Sequence, residues 1–543
     1  MLNRVQHKVQ KHDIFTIFPF VTQSRRMRGD KNRNMIDRIF HYLECLSERK
    51  ILLSLLGITF GLRLYAVLMA AGVANDSAGY GFMARDFLRG EFLKGLSPAF
   101  HPLYAYLISL LSPGASYVEI TGRLISLFFG TVTLVPVYYW VKEAFGQRVA
   151  VFSGLFYCFH PYLVTYSGML LSEATYWSLL TLSIYFFWFG LKRGKIVPSV
   201  VAGFLLGLAY LTRPEGVGYL VVFLFWIIIY GGVKRDGFRK AVLAACLILS
   251  FLVPSFPYLL SIHQETGQWL ISKKSLKAQP WAVAWSKEQK GSPNTQAAEE
   301  PKPTRRPFNF QRFISTFLRN LPFTLYHYVR AYHFTLWPFL FFGLIRARQG
   351  RIKEEWFLAS LVLFHLFSIA TFNRSTIRFS VPVIPLSLLW AGAGVVEIQR
   401  FLKMKNVPKE KKWLFFLVVL ILLAQLPQAL IPERWHRREQ KNVGVWLRQN
   451  TPEDSVIMSN SPQEAFYANR PFVQMQPGNP GPYYRDVIRF AKENRVRYIL
   501  IDRYTKEISA DFVDSLPSSP DLKEIYRVAD RRGNMTTVYH VFY

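Results

Sequence analysis

Six charged side chains stand at the ends of long apolar runs, where ionisable groups are costly and seldom idle. Asp76 lies in Asn75-Asp76-Ser77-Ala78-Gly79-Tyr80 and Glu173 in Leu171-Ser172-Glu173-Ala174-Thr175-Tyr176. Arg213 and Glu215 share Leu211-Thr212-Arg213-Pro214-Glu215-Gly216, and Arg374 and Arg378 share Asn373-Arg374-Ser375-Thr376-Ile377-Arg378-Phe379. A carboxylate within reach of a hydroxyl can take its proton as the oxygen attacks. Guanidinium forks match phosphate oxygens and stabilise the negative charge that builds on them. These parts fit a reaction between a hydroxyl acceptor and a phosphate-bearing lipid, with Asp76 and Glu173 as the acids and Arg378, Arg213 and Arg374 as phosphate contacts. Each residue also has a plainer reading: Asp76 as a helix cap, Glu173 as a complement to a helix dipole, Arg378 as an arginine snorkelling to the interface. Tyr80 and Tyr104 read as aromatic walls, and His101 before Pro102 as a substrate contact or a structural histidine. A divalent cation is possible; its ligands would come from Asp76, Glu173 and His101 on separate segments.

Positioning these groups falls to a membrane domain. Apolar residues make up 51% of the chain and aromatics 16%, values suited to lipid-facing helices with aromatic belts. The fold class expected is an α-helical polytopic membrane protein of about eleven spans, with a small C-terminal α/β extramembrane domain. The spans fall near 51–73, 119–141, 148–163, 170–191, 196–211, 217–232, 239–262, 325–345, 355–371, 377–398 and 412–431. The run from His101 to Leu111 is too short to cross and reads as interfacial or re-entrant. Gly203 and Gly207 form a GxxxG that permits close helix packing, and Arg123 is placed to pair with Glu119 one turn earlier.

The net charge of +31 raises nucleic acid as a partner, but the bases cluster between apolar spans as positive-inside loops, so no nucleic acid is expected. Residues 1–50 read as a basic cytoplasmic segment, with Met27 and Met35 as alternative starts. The transmembrane domain covers 51–431, its outer loops 74–118 and 263–324, the second of these Pro-rich and mobile in reading. Residues 432–543 form the external domain, with helices near 443–448 and 486–494 and strands near 455–458, 497–501 and 537–542. Cys45, Cys158 and Cys246 show no pairing framework. On this topology the chemical residues all face the outer leaflet of a cell (inner) membrane, with the C-terminal domain periplasmic or extracellular.

The order of landmarks resembles the GT-C glycosyltransferases of the protein O-mannosyltransferase and aminoarabinose transferase type. The resemblance runs through Asp76-x-x-x-Tyr80 with Ala84, His101-Pro102-Leu103-Tyr104, Gly122-Arg123-Leu124 and Ser172-Glu173, and on to Leu211-Thr212-Arg213-Pro214-Glu215 and Arg378-Phe379-x-x-Pro382-x-x-Pro385. In the tail, Trp446-Leu447-Arg448-Gln449-Asn450-Thr451-Pro452 leads to Ala465-Phe466-Tyr467. The resemblance implies transfer of a monosaccharide from a polyprenyl-phosphate donor to a lipid, glycan or protein acceptor, with inversion, and places Asp76 at the first-loop catalytic acid. Where the family often has Asp-Glu, this chain has Asp76-Ser77. Two rival readings are a transporter or flippase of lipid-linked saccharides and a non-catalytic scaffold.

Overall fold

The computed structural model describes residues 47–96, 100–230, 237–273, 310–345, 352–372, 376–432, 438–475, 480, 483–505, 509–529 and 533–542. Arg374, Cys45, nearly all of the basic N-terminal segment and most of the Pro-rich loop lie outside them. Residues 51–543 make one unit.

Among the described residues, seven helices are long and apolar enough to cross a membrane. They are Glu48–Met69, the run Ala115–Phe145, Glu173–Arg193, Gly237–Thr266, Ile352–Thr371, Ile377–Met404 and Glu410–Leu430. Helices suit this setting because every backbone N–H and C=O finds its partner within the segment. A bent pair, Gln147–Phe159 and Pro161–Ser167, meets at 57° and is long and apolar enough only when its two members are taken together. Pro161 opens the second member, and His160 before it is extended, as a residue preceding proline prefers. Three shorter apolar helices, Ile196–Thr212, Gly216–Tyr230 and Phe334–Ile345, complete the set. At 1.5 Å per residue the 17 residues of Ile196–Thr212 reach about 26 Å, slightly under a bilayer's hydrocarbon thickness.

Glu173–Arg193 and Ile377–Met404 are the most enclosed spans, while Glu48–Met69 and Glu410–Leu430 are the least. Aromatic stacking ties the centre together: Phe187 lies 4.0 Å from Phe223, and Trp188 lies 4.6 Å from Phe357. Gly203 and Gly207 let Ile196–Thr212 close on Gly237–Thr266, where Ser250, Leu247 and Phe251 press on the positions a Cβ would take. Arg123 reaches Glu119 at 2.6 Å, and it also bonds the carbonyls of Ala70 and Gly72. The run after His101 forms the nine-residue helix Leu103–Leu111, too short to cross.

One expected span is corrected. Residues 325–345 are not one helix: Phe310–Ala331 ends there, His333 takes a left-handed φ of 68°, and Trp337–Ile345 starts afresh after a 3-10 turn. Within 325–345 the polar residues His327, Arg330, His333 and Thr335 are too few to reveal the break.

Residues 438–542 carry a five-stranded mixed sheet of order β2-β1-β3-β5-β4. Its strands are β1 Val456–Ser459, β2 Phe472–Gln474, β3 Val496–Ile501, β4 Leu522–Ala529 and β5 Met535–Val541. β1 pairs parallel with β2 and β3, whereas β5 pairs antiparallel with β3 and β4. Helix Tyr484–Glu493 packs Val487, Ile488 and Ala491 with Met458 and Ile499 on one face. Arg438–Asn450 and Gln463–Ala468 pack Val443, Leu447 and Ala465 with Ile457 and Leu500 on the other. All four β1 residues are buried, as expected of a strand covered on both faces.

Candidate active site

The chain leaves its first span and, after an extended Ala74, starts the helix Asn75–Leu88, which holds Asp76 in its first turn. Glu173 is the first residue of its span, and Arg378 sits in the first turn after an extended Thr376. Arg213 ends Ile196–Thr212 with φ −152° and ψ 138°, the extended backbone that the following Pro214 favours. Four segments distant in sequence thus deliver charge to one end of the bundle.

There the side chains join. Arg378 donates through Nη1 to Asp76 and through Nε to Glu173 Oε1. Arg213 donates to the same Glu173 oxygen at 3.0 Å and to Glu215 Oε1 at 3.3 Å. Glu173 is fully enclosed, whereas the Asp76 side chain is 40% and the Arg378 side chain 24% exposed. The cluster therefore runs from a buried root at Glu173 and Arg213 to an open rim at Asp76. Both arginines use Oε1, and Glu173 Oε2 is buried without a hydrogen-bond partner among the described residues. A buried carboxylate oxygen ordinarily has a donor, so Oε2 keeps an unused acceptor position inside the cluster. Arg378 commits one N–H group to each of two carboxylates, so its charge is shared between Asp76 and Glu173. Arg213, by contrast, is held at both ends and lies between the rings of Tyr176 and Phe379, 5.7 and 5.4 Å from their centres.

Asp76, Glu173, Arg213 and Arg378 are thus brought together. Tyr80 lies beside them as a wall: its hydroxyl donates to Ser172 Oγ at 2.7 Å, and burial pushes its phenol well up. Its ring packs 4.6 Å from Phe100 and 5.2 Å from Tyr104. His101 is turned elsewhere. Its Nδ1 meets the Tyr210 carbonyl at 2.7 Å, which requires the proton there, and Nε2 meets Ser272 Oγ at 3.2 Å. It links the end of Ile196–Thr212 to the segment after Thr266. Arg374 lies outside the described residues.

The possible divalent cation does not fit. Arg378 stands between Asp76 and Glu173, His101 is bonded away from both, and no three His, Cys, Asp or Glu side chains among the described residues are grouped to hold a metal.

The sequence also left parts unseen. Glu215, singled out with Arg213 but given no role, proves to be the third carboxylate of the cluster. Gln463 of the C-terminal domain donates to Asn75, the neighbour of Asp76, and Phe466 fills the space beside Gly81 on the same helix. No local signal joins positions separated by 388 residues.

Residues 97–260 match the family model described as Dolichyl-phosphate-mannose-protein mannosyltransferase. The chain is similar in structure to ArnT from Cupriavidus metallidurans bound to undecaprenyl phosphate, at 13% identity and a TM-score of 0.57, covering 91% of this chain and 98% of that one. It is also similar to arabinofuranosyltransferase AftD from Mycobacteria, at 13% identity and a TM-score of 0.51 over 92% of this chain and 42% of that one. The archaeal oligosaccharyltransferase AglB from Archaeoglobus fulgidus, in complex with an inhibitory peptide and a dolichol-phosphate, matches at 12% identity and a TM-score of 0.50, covering 93% and 74%. No curated protein matches the chain by sequence.

Proposed function

We propose that this chain, which has the fold of the GT-C membrane glycosyltransferases, moves a monosaccharide from a polyprenyl-phosphate donor to a hydroxyl acceptor at the outer face of a cell membrane. The observation that carries the reading is Arg378, one guanidinium shared between an exposed and a buried carboxylate at the mouth of the bundle. Bound undecaprenyl phosphate in ArnT and dolichol-phosphate in AglB support a lipid phosphate as the ligand of this fold.

Two arginines face three carboxylates here, so an incoming phosphate meets no surplus of positive charge. Arg378 must trade one partner for the phosphate. Asp76, the more exposed of its two carboxylates, is the one released; Glu173 keeps its hold from below. Donor binding thereby frees the Asp76 carboxylate. It takes the proton of the acceptor hydroxyl as that oxygen attacks the anomeric carbon from the face opposite the phosphate. The bond from the anomeric carbon to the phosphate oxygen breaks, its electron pair stays on the polyprenyl phosphate, and Arg378 stabilises that charge. Glu173 orients Arg378 from below, and Arg213 holds Glu173 in place. No step requires a metal ligand set.

A transfer assay with labelled polyprenyl-phosphate sugars and the purified full chain tests this reading. Asp76→Asn should lower turnover by about 10²–10⁴-fold, the usual contribution of a positioned general base, with membrane insertion unchanged. Wild-type turnover in that variant would remove Asp76 from the mechanism. A lipid-linked saccharide transporter would instead move the donor without forming a new glycosidic bond.

A further inference from the structure

On the far side of the helix that carries Asp76, a second group of charges lies beside an apolar groove. Arg85 is nearly buried; it donates to the Phe466 carbonyl at 2.9 Å and the Ala115 carbonyl at 3.4 Å, and its guanidinium covers the Phe466 ring at 4.4 Å. Arg448, exposed on helix Arg438–Asn450, donates to Ser116 Oγ at 3.2 Å. Neither guanidinium is ion-paired among the described residues. The carboxylate nearest to hand, Glu119, is already shared by Arg123, Lys441 and the Tyr467 hydroxyl. Burial, and after it the cations Arg89 and Arg448, bring Arg85 down to about 10. Arg85, Ser116, Glu119 and Arg448 line one small recess between the C-terminal domain and the bundle.

The segment that lines this recess also lines the groove. Tyr117 and Ile120 alternate with Ser116 and Glu119 and open onto an apolar cavity of about 560 Å³, walled by Leu107, Leu111, Leu124 and Phe128. Ile120, Leu124 and Phe128 recur every four residues, so they form one stripe down the helix, about 12 Å long. Tyr117 stands at the start of the span Ala115–Phe145, the level at which aromatic side chains mark the lipid headgroups.

We propose that this groove and its basic rim bind one anionic phospholipid, with the phosphate between Arg448 and Arg85 and an acyl chain along Ile120, Leu124 and Phe128. The charge selects the occupant: an apolar slot alone takes any lipid, whereas two guanidinium groups without acidic partners favour a phosphate headgroup of net negative charge. The lipid bridges the bundle and the C-terminal domain, since Arg448 belongs to one and Arg85 to the other. The site is separate from the Asp76 cluster and does not depend on the transfer reaction.

The test uses the full chain purified in detergent, with phosphatidylglycerol, phosphatidylcholine or inorganic phosphate added, reading Tm and lipid retained in native mass spectrometry. Phosphatidylglycerol should raise Tm and remain bound at about one per chain. Retention should fall by about tenfold or more in Arg448→Glu, matching the loss of one charge-assisted contact. Leu124→Trp, which fills the groove and leaves the cations in place, should lose the lipid too while keeping its Tm in phosphatidylcholine. Equal effects of the two lipids, the same Tm rise with inorganic phosphate alone, or undiminished retention in both variants would each overturn the proposal.

Discussion

Glu173 shows how burial and pairing set a residue's part. Fully enclosed, it meets Arg213 and Arg378 through a single oxygen. Removing its charge leaves two guanidinium groups facing each other inside the protein, and breaking such a buried arrangement costs roughly 3–5 kcal/mol. Glu173→Gln is therefore expected to lower Tm sharply as well as activity. Asp76→Asn should cost at most about 1 kcal/mol, because an ion pair at a 40% exposed carboxylate is screened by solvent. A thermal melt of both variants separates the two roles; similar losses would contradict them. Asp86, on the helix that bears Asp76, provides a pH test. Burial raises its carboxyl to about 6, so the folded chain keeps that proton where an unfolded chain, with its carboxyl at about 4, releases it. Stability should fall as pH rises from about 4 to about 6 and level off above, and Asp86→Asn should remove that slope. Asp76, Glu173, Arg213 and Arg378 were legible in the sequence because charge at the edge of an apolar run is conspicuous. Their pairing was not, since partners 205 and 302 residues apart leave no local pattern.

At the scale of elements, hydrophobic length located most of the spans but misread one, and glycine spacing acquires meaning only from what it meets. The run 325–345 reads as one crossing because Phe, Leu and Trp outnumber its polar residues, yet the chain turns at His333 with a positive φ. Gly203 and Gly207 share their four-residue spacing with Gly57 and Gly61, but only the first pair meets a neighbouring helix. A Cβ at Gly207 would stand 2.5 Å from the Phe251 carbonyl oxygen, whereas one at Gly57 meets nothing within 4 Å. Gly207→Leu should accordingly destabilise by about 1–3 kcal/mol, the usual cost of overpacking. Gly57→Leu should leave Tm nearly unchanged, so a melt of the two side by side checks the packing. In the C-terminal sheet β1, β3 and β5 were legible from their apolar runs. β2 is three residues long, and β4, an edge strand with charges at the adjacent Lys523 and Glu524 and a register shift after them, breaks the alternation, so neither gives a strong period.

Across the whole molecule, the C-terminal domain rests on the helix that carries Asp76. Gln463 bonds Asn75, Phe466 lies against Gly81, and Arg85 clasps the Phe466 carbonyl and ring. The existence of the domain was legible from its change of composition after Pro432; its docking was not. Phosphate and carboxylate competing for Arg378 is the claim on which the reaction rests, and equilibrium binding of a polyprenyl phosphate to the purified chain tests it most directly. Arg378→Ala should weaken binding by about 10–100-fold, the value of a charge-assisted hydrogen bond. Asp76→Asn, by removing the competitor, should bind as tightly as wild type or tighter. Weaker binding in Asp76→Asn, or unchanged binding in Arg378→Ala, would contradict the account.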